Sequence, residues 1–246
     1  MVVTVIPWAI LVVVLSPFVD RERIYRICVR WLALSVHSGE VILGIRNRVT
    51  GLENLPPTDG HNPAVLLVKH QSTWETFYLP VLMPRTLAFV FKRELLYIPF
   101  FGWAIGLVDM IHIDRSQRAA AFGKVVRQGE RLLNKGTWVI IFPEGTRIPR
   151  GEKGHYRASG ARLAVACGVP VIPIAVTSGR CWPRRAFIKR PGVVDFSIGK
   201  PISSVGRKPD ELMREVEDWI EAEMLRLDPE GYPGGEARRS TLTPGG

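Results

Sequence analysis

Two short stretches carry residue types able to do proton and anion chemistry. The first is Lys69-His70-Gln-Ser-Thr-Trp-Glu75, a histidine with a carboxylate five positions on. Histidine is the side chain whose ordinary pKa suits proton abstraction near neutral pH. A carboxylate on its far ring nitrogen would fix the tautomer and stabilise the imidazolium. A spacing of five does not place two residues on one face of a regular helix. The pair therefore requires His70 in a turn and Glu75 in the first helical turn, with Ser72 as the N-cap. The same letters also read as a capping box, S-x-x-E over Ser72 to Glu75, which needs no catalytic role. The second stretch is Phe142-Pro-Glu-Gly-Thr-Arg147. Pro143 cannot donate a ladder hydrogen bond and Gly145 permits a tight turn, so Glu144, Thr146 and Arg147 are held on a loop. Arg147 offers a planar fork suited to phosphate or carboxylate, and Glu144 can orient that fork or bind a hydroxyl. The alternative is a strand-ending turn with a surface ion pair. Lys92 and Arg115 are further phosphate candidates, or else solvated surface charges.

Both loops must be positioned by strands. Trp138–Phe142 is a short apolar run bounded by Gly136 and Pro143 and reads as a strand buried on both faces; Ala64–Val68 reads as another strand. Further strands are expected at Leu87–Phe91, Leu107–Ile113, Val171–Val176 and Val193–Ile198, with an edge strand within Val41–Val49. Helical patterns fall at Thr73–Met83, Ser116–Asn134, Tyr156–Cys167 and Asp210–Leu227. This alternation of strands and helices implies an α/β fold with a mostly parallel sheet flanked by helices. In such a sheet His70 and Glu144–Arg147 share the carboxyl edge, where open α/β sheets bind ligands. Ser116 is a fitting N-cap for the helix that Phe122, Val125, Val126, Leu132 and Leu133 give an apolar face. In the last helix the apolar face is Leu212, Val216, Trp219, Ile220 and Leu227.

Ahead of this domain the chain is different in kind. Val2–Val19 carries no charge, and as a helix it would run about 27 Å, near the roughly 30 Å of a bilayer's hydrocarbon core. It lacks the basic leader and small-residue cleavage site of a signal peptide. Arg21, Arg23, Arg26 and Arg30 follow, which sets the C-terminal side in the cytoplasm. Ile24–Val36 reads as an interfacial amphipathic helix; the alternative is that the two segments together form a membrane-embedded hairpin. The expected organisation is residues 1–50 as membrane anchor and interfacial helices, 51–227 as catalytic domain and 228–246 as a disordered tail, with Gly51–Pro57 as the link. The net charge is +10, from 33 Lys and Arg against 23 Asp and Glu. Nucleic acid is disfavoured, since no zinc-finger spacing, RNP-like motif or long basic block is present. The cations instead accompany apolar residues, as at Arg184, Arg185, Lys189 and Arg190, which suits an anionic bilayer or an acidic carrier. Cys28, Cys167 and Cys181 have no short-spaced pairing and read as apolar filler, and no metal cluster is expected.

The His-x4-acid pattern followed some seventy residues later by Phe142-Pro-Glu-Gly-Thr-Arg147 resembles the glycerolipid acyltransferases, and among them the bacterial 1-acyl-sn-glycerol-3-phosphate acyltransferases. The likeness runs from about Gly51 to Ile202 and includes Phe91–Gly102, Ile113-Asp114-Arg115 and Val169–Ala175. The family pattern has Asp where this chain has Glu75, one methylene longer. The resemblance implies acyl transfer from acyl-CoA or acyl carrier protein to the sn-2 hydroxyl of lysophosphatidic acid, with His70 as base and Glu75 orienting it. It implies an acceptor site at Glu144, Gly145, Thr146 and Arg147, no cofactor, and attachment to the cytoplasmic face of a bacterial inner membrane. No G-x-S-x-G elbow is present to form an acyl-enzyme. The alternatives are another lysolipid or amino-acid-lipid acceptor, a hydrolase, and an inert membrane-bound scaffold.

Overall fold

The computed structural model describes residues 2–113 and 118–232. Seven strands form one sheet: β1 (Ile45–Thr50), β2 (Val65–Val68), β3 (Leu87–Lys92), β4 (Ile111–Ile113), β5 (Trp138–Ile141), β6 (Val171–Val176) and β7 (Gly192–Ile198), in spatial order β1-β7-β6-β2-β5-β3-β4. All neighbours are parallel except β6 and β7. The sheet is thus mostly parallel, as expected. Within it β2, β5 and β6 are buried at every residue, which explains their uninterrupted apolar sequences.

Strand alternation divides the core. Val65, Leu67, Val139 and Ile141 face a layer made by α5 (Arg118–Leu133), α6 (Ser159–Cys167) and α7 (Pro209–Leu227). Leu66, Val68, Ile140 and Ile174 face the opposite layer, made by α2 (Arg21–Leu43) and α3 (Trp74–Leu82). The α2–α3 contact depends on Gly39: a Cβ there would lie 2.5 Å from the Trp74 ring, so only glycine lets the buried indole reach the helix. A third cluster joins α1 (Val2–Leu15), α2 and α4 (Phe101–Leu107) through Ala9, Val12, Ile24, Tyr25, Ala104 and Val108.

Several expectations require correction. The first helix ends at Leu15 after 14 residues, about 21 Å rather than 27 Å. Among the described residues no helix is long and apolar enough to cross a membrane. The sheet begins before residue 50, since β1 pairs with β7 along its whole length. The apolar stretch from Val41 is divided: α2 continues to Leu43, and Gly44, at φ +65°, caps it before β1 starts. The expected strand Leu107–Ile113 shrinks to β4, because α4 takes residues up to Leu107 and packs on α1. Residues 228–232 are not a loose tail. Asp228 is buried and receives both Arg150 Nε and Nη2 at 2.7 Å. Asp114, Arg115 and Ser116 lie outside the described residues.

Candidate active site

The spatial order places β6, β2 and β5 side by side and parallel. Three loops therefore leave the same edge: Thr177–Arg180 after β6, Lys69–Thr73 after β2 and Phe142–Arg147 after β5. The chain leaves β2 through α3 towards β3 on one side, and leaves β5 through α6 towards β6 on the other. This is the switch point at which α/β sheets open a crevice.

His70 and Glu75 meet there, with Nδ1 2.9 Å from Oε1. His70 stacks on Phe142, ring centroids 3.9 Å apart and planes 17° apart, which fixes the imidazole plane. Glu75 is fully buried. Its Oε1 also accepts the backbone N–H groups of Gln71 and Ser72, both at 2.7 Å. Its Oε2 accepts the hydroxyls of Ser72 at 2.7 Å and Ser178 at 2.6 Å. Burial alone would raise this carboxyl's pKa; the hydrogen bond and charge of His70, with Ser178 and Ser72, outweigh it and hold the group below its ordinary range. An ionised carboxylate only accepts. The proton between the two therefore sits on Nδ1, so that in the neutral imidazole Nε2 carries the lone pair that a base needs.

The histidine pair is present, and with it a variant of the capping box rather than the one expected: α3 starts at Trp74 with Thr73 as its cap residue, so Ser72 stands one position before the cap. Ser72 Oγ accepts the Trp74 N–H at 2.8 Å while Glu75 returns to the Ser72 N–H. One carboxylate starts the helix and holds the imidazole. The extra methylene of Glu relative to Asp is accommodated because the chain folds back over its own turn.

The other glutamate is differently used. Glu144 Oε1 accepts Lys69 Nζ at 2.7 Å, and Oε2 accepts the His70 backbone N–H at 3.0 Å. Both side chains are fully buried, and Lys69 Nζ reaches Glu221 Oε1 on α7 at 2.8 Å as well. The expectation that Glu144 would orient Arg147 is thus corrected: it holds Lys69 and the His70 N–H instead, and it braces the His70 backbone from behind. Arg147 forms no ion pair with a described carboxylate and lines the crevice instead. Gly145 makes the turn possible, at φ +65° with its N–H on the Phe142 carbonyl at 2.9 Å. Thr146 is exposed at its tip. Lys92 is exposed at the end of β3, and alternation turns it away from the cavity that Phe89 and Phe91 line.

Two spaces meet at Thr73 and Arg147. One is an apolar cavity of about 370 Å³ between α1, α2, α3, β3 and α4, lined among others by Trp8, Val12, Trp31, Phe77, Phe91 and Phe101. The other is a recess lined by Ser72, Trp182, Arg184, Arg185 and Lys189. A carbon chain fits the first and an anion the second.

A family model described as Acyltransferase matches residues 46–177. The chain belongs to this acyltransferase family. A 1-acyl-sn-glycerol-3-phosphate acyltransferase of Pseudomonas aeruginosa is 42% identical over 90% of this chain and 86% of its own length. A mouse 1-acyl-sn-glycerol-3-phosphate acyltransferase alpha is 30% identical over 87% of the chain and 75% of its own. The crystal structure of the 1-acyl-sn-glycerophosphate (LPA) acyltransferase PlsC from Thermotoga maritima superposes with a TM-score of 0.73, at 27% identity, covering 92% of this chain and 91% of that one.

Sequence reading did not single out Lys69, Gln71 or Ser178 in the acyltransferase site. Lys69 had a signal, as a charged residue ending a strand whose other residues are all apolar. Ser178 had a weaker one, two residues beyond the end of β6 at the shared carboxyl edge.

Proposed function

We propose that the protein moves a fatty acyl group from acyl-CoA or acyl carrier protein to the sn-2 hydroxyl of lysophosphatidic acid, giving phosphatidic acid. One observation carries this reading: the loop that bears His70, paired with Glu75, runs on through Ser72 and Thr73 to the junction of an apolar cavity and a basic recess, with Thr73 and Arg147 lining both. The relatives named for this activity support it. His70 Nε2 takes the sn-2 hydroxyl proton as the oxygen attacks the thioester carbonyl. The C–O bond forms, the C–S bond breaks, and the thiolate leaves and takes up the proton. Glu75 stabilises the imidazolium formed on the way. No metal or cofactor enters these steps. Arg147 receives the acceptor phosphate, with Gly145 and Thr146 shaping its approach, and the apolar cavity receives an acyl chain.

The substrates are lipids, and the first two helices suit a lipid surface. Val3, Ile10, Val14 and Phe18 are exposed on or just after α1, as are Leu34, Val41 and Ile42 on α2. At about 21 Å, α1 is too short for a roughly 30 Å core, so it lies within one leaflet. Arg21, Arg23, Arg26 and Arg30 are exposed beside it, which favours the anionic cytoplasmic face of the inner membrane.

The test is transfer from labelled acyl-CoA and acyl carrier protein by purified protein, with and without lysophosphatidic acid. His70→Ala should lower kcat by about 10²–10⁴-fold. Arg147→Ala should mainly raise the acceptor KM. Near-parental turnover by His70→Ala, or an Arg147→Ala effect confined to the thioester KM, would sink the corresponding role.

A further inference from the structure

Residues 181–190 form a loop closed at its base by the Arg190 N–H on the Cys181 carbonyl, 2.9 Å. Trp182 anchors it from within, packed 5.7 Å from the buried Trp74 ring and covered by Lys189 Nζ at 4.8 Å. The loop's outer end is unlike its base. Phe187 is 98% exposed and Ile188 73% exposed. Arg184, Arg185, Lys189 and Arg190 surround them, and no acidic residue occurs between Glu152 and Asp195. Arg185 has φ +60°, at the third position of a turn closed by the Ala186 N–H on the Pro183 carbonyl. A turn of that geometry ordinarily takes glycine there. An arginine is held in a backbone region that disfavours it, beside two apolar side chains with no intramolecular cover.

We infer that this loop is a second membrane contact, separate from α1 and α2, in which Phe187 and Ile188 enter the interfacial region of an anionic bilayer and the arginines hold its phosphates. The inference deepens the acyl-transfer reading, since it sets the mouth of the basic recess against the surface holding the acceptor. Charge complementarity selects an anionic partner, and the exposed phenylalanine and isoleucine select one with an apolar interior. An acidic carrier protein would match the charge but leave both apolar side chains without a hydrocarbon phase.

The experiment uses the full chain and sedimentation with two kinds of vesicle, phosphatidylcholine alone and phosphatidylcholine with phosphatidylglycerol. The lipid concentration is set so that half of the parent protein is bound. Phe187→Ser with Ile188→Ser should lower partitioning roughly tenfold or more on both kinds. Arg185→Gly with Arg190→Gln should lower it about fivefold per arginine, and only with phosphatidylglycerol present. Glycine relieves the left-handed backbone at 185, so thermal stability should not fall, which separates lost lipid contact from a damaged fold. Parental partitioning by both double variants overturns the inference. So does parental partitioning combined with selective loss of transfer from the carrier-protein thioester, which would make the loop a protein-docking surface. Binding needs no turnover: a parent protein that acylates no lysophosphatidic acid would overturn the activity reading and leave this test intact.

Discussion

Two buried glutamates stand on opposite sides of His70, and they do different work. Glu75 has five donors on its two oxygens: two backbone N–H groups, two serine hydroxyls and the imidazole. Its negative charge is shared among small dipoles and one titratable ring, and its pKa is held below the ordinary range. Glu144 faces the amine of Lys69 instead. Burial pushes its carboxyl up despite Lys69, the His70 N–H pulls down further, and the net direction is upward. The contrast shows how one histidine is oriented twice. The imidazole is held by a carboxylate that can respond to its charge, and the backbone by a carboxylate locked in an ion pair.

The comparison can be broken at its strongest point by Glu75→Gln. A neutral amide can offer Nδ1 a donor and select the wrong tautomer, so kcat should fall by about 10²-fold or more while the fold persists. Steady-state kinetics with a melting curve on the same protein would read both. Glu144→Ala should show the reverse pattern. It leaves Lys69 buried with Glu221 alone and should destabilise the fold by about 3–5 kcal/mol, read by denaturant unfolding. Equal effects of the two changes on kcat would erase the distinction drawn here. A smaller effect is expected at Ser178. Ser178→Ala removes one hydroxyl from a charged carboxylate, roughly 1–3 kcal/mol, and should lower kcat roughly tenfold with both KM values kept. The pKa of the Glu75 carboxyl, read by NMR titration, should also move up, because it loses a contact that lowers it. A mere packing role would leave that value in place.

The smallest effect is in stability against pH, and the two residues carry opposite signs. Glu75 is depressed in the fold, so its contribution is present above the ordinary carboxyl pKa and is lost as pH falls through the lower folded value. Glu144 is raised, so its ionisation opposes folding, and stability from this group increases as pH falls from the folded value towards the ordinary one. Acid unfolding of Glu75→Gln should accordingly be shallower than the parent's, and that of Glu144→Gln steeper.

Much of this arrangement was legible in the sequence. Short apolar runs ending at Val68 and Phe142 announce buried strands, and parallel strands bring His70 and Arg147 to one edge. The role of Glu144 was not legible, because adjacency in sequence suggested Arg147 while the partner is Lys69, 75 residues earlier. The helix α4 was missed for a related reason. Phe101–Leu107 is apolar enough for strand or helix, and what decides is packing against α1, which periodicity does not report. The expected helix start at Tyr156 is early by three residues: the chain there is tied to the reaction loop by the Arg157 N–H on the Pro143 carbonyl, and α6 begins at Ser159.

The clasp formed by the last described residues has a consequence for how the chain becomes active. Gln71, between His70 and Ser72, donates to Tyr232 Oη at 3.3 Å and accepts the Gly179 N–H, while Asp228 ties down Arg150. Tyr232 is 161 residues from Gln71 in sequence, a span whose closure is among the slower steps of folding. A chain clipped after Leu227 would keep the whole sheet and every residue of the proposed chemistry, yet lack a brace on the turn that carries the base. Turnover is then a stricter gauge of completed folding than secondary-structure content.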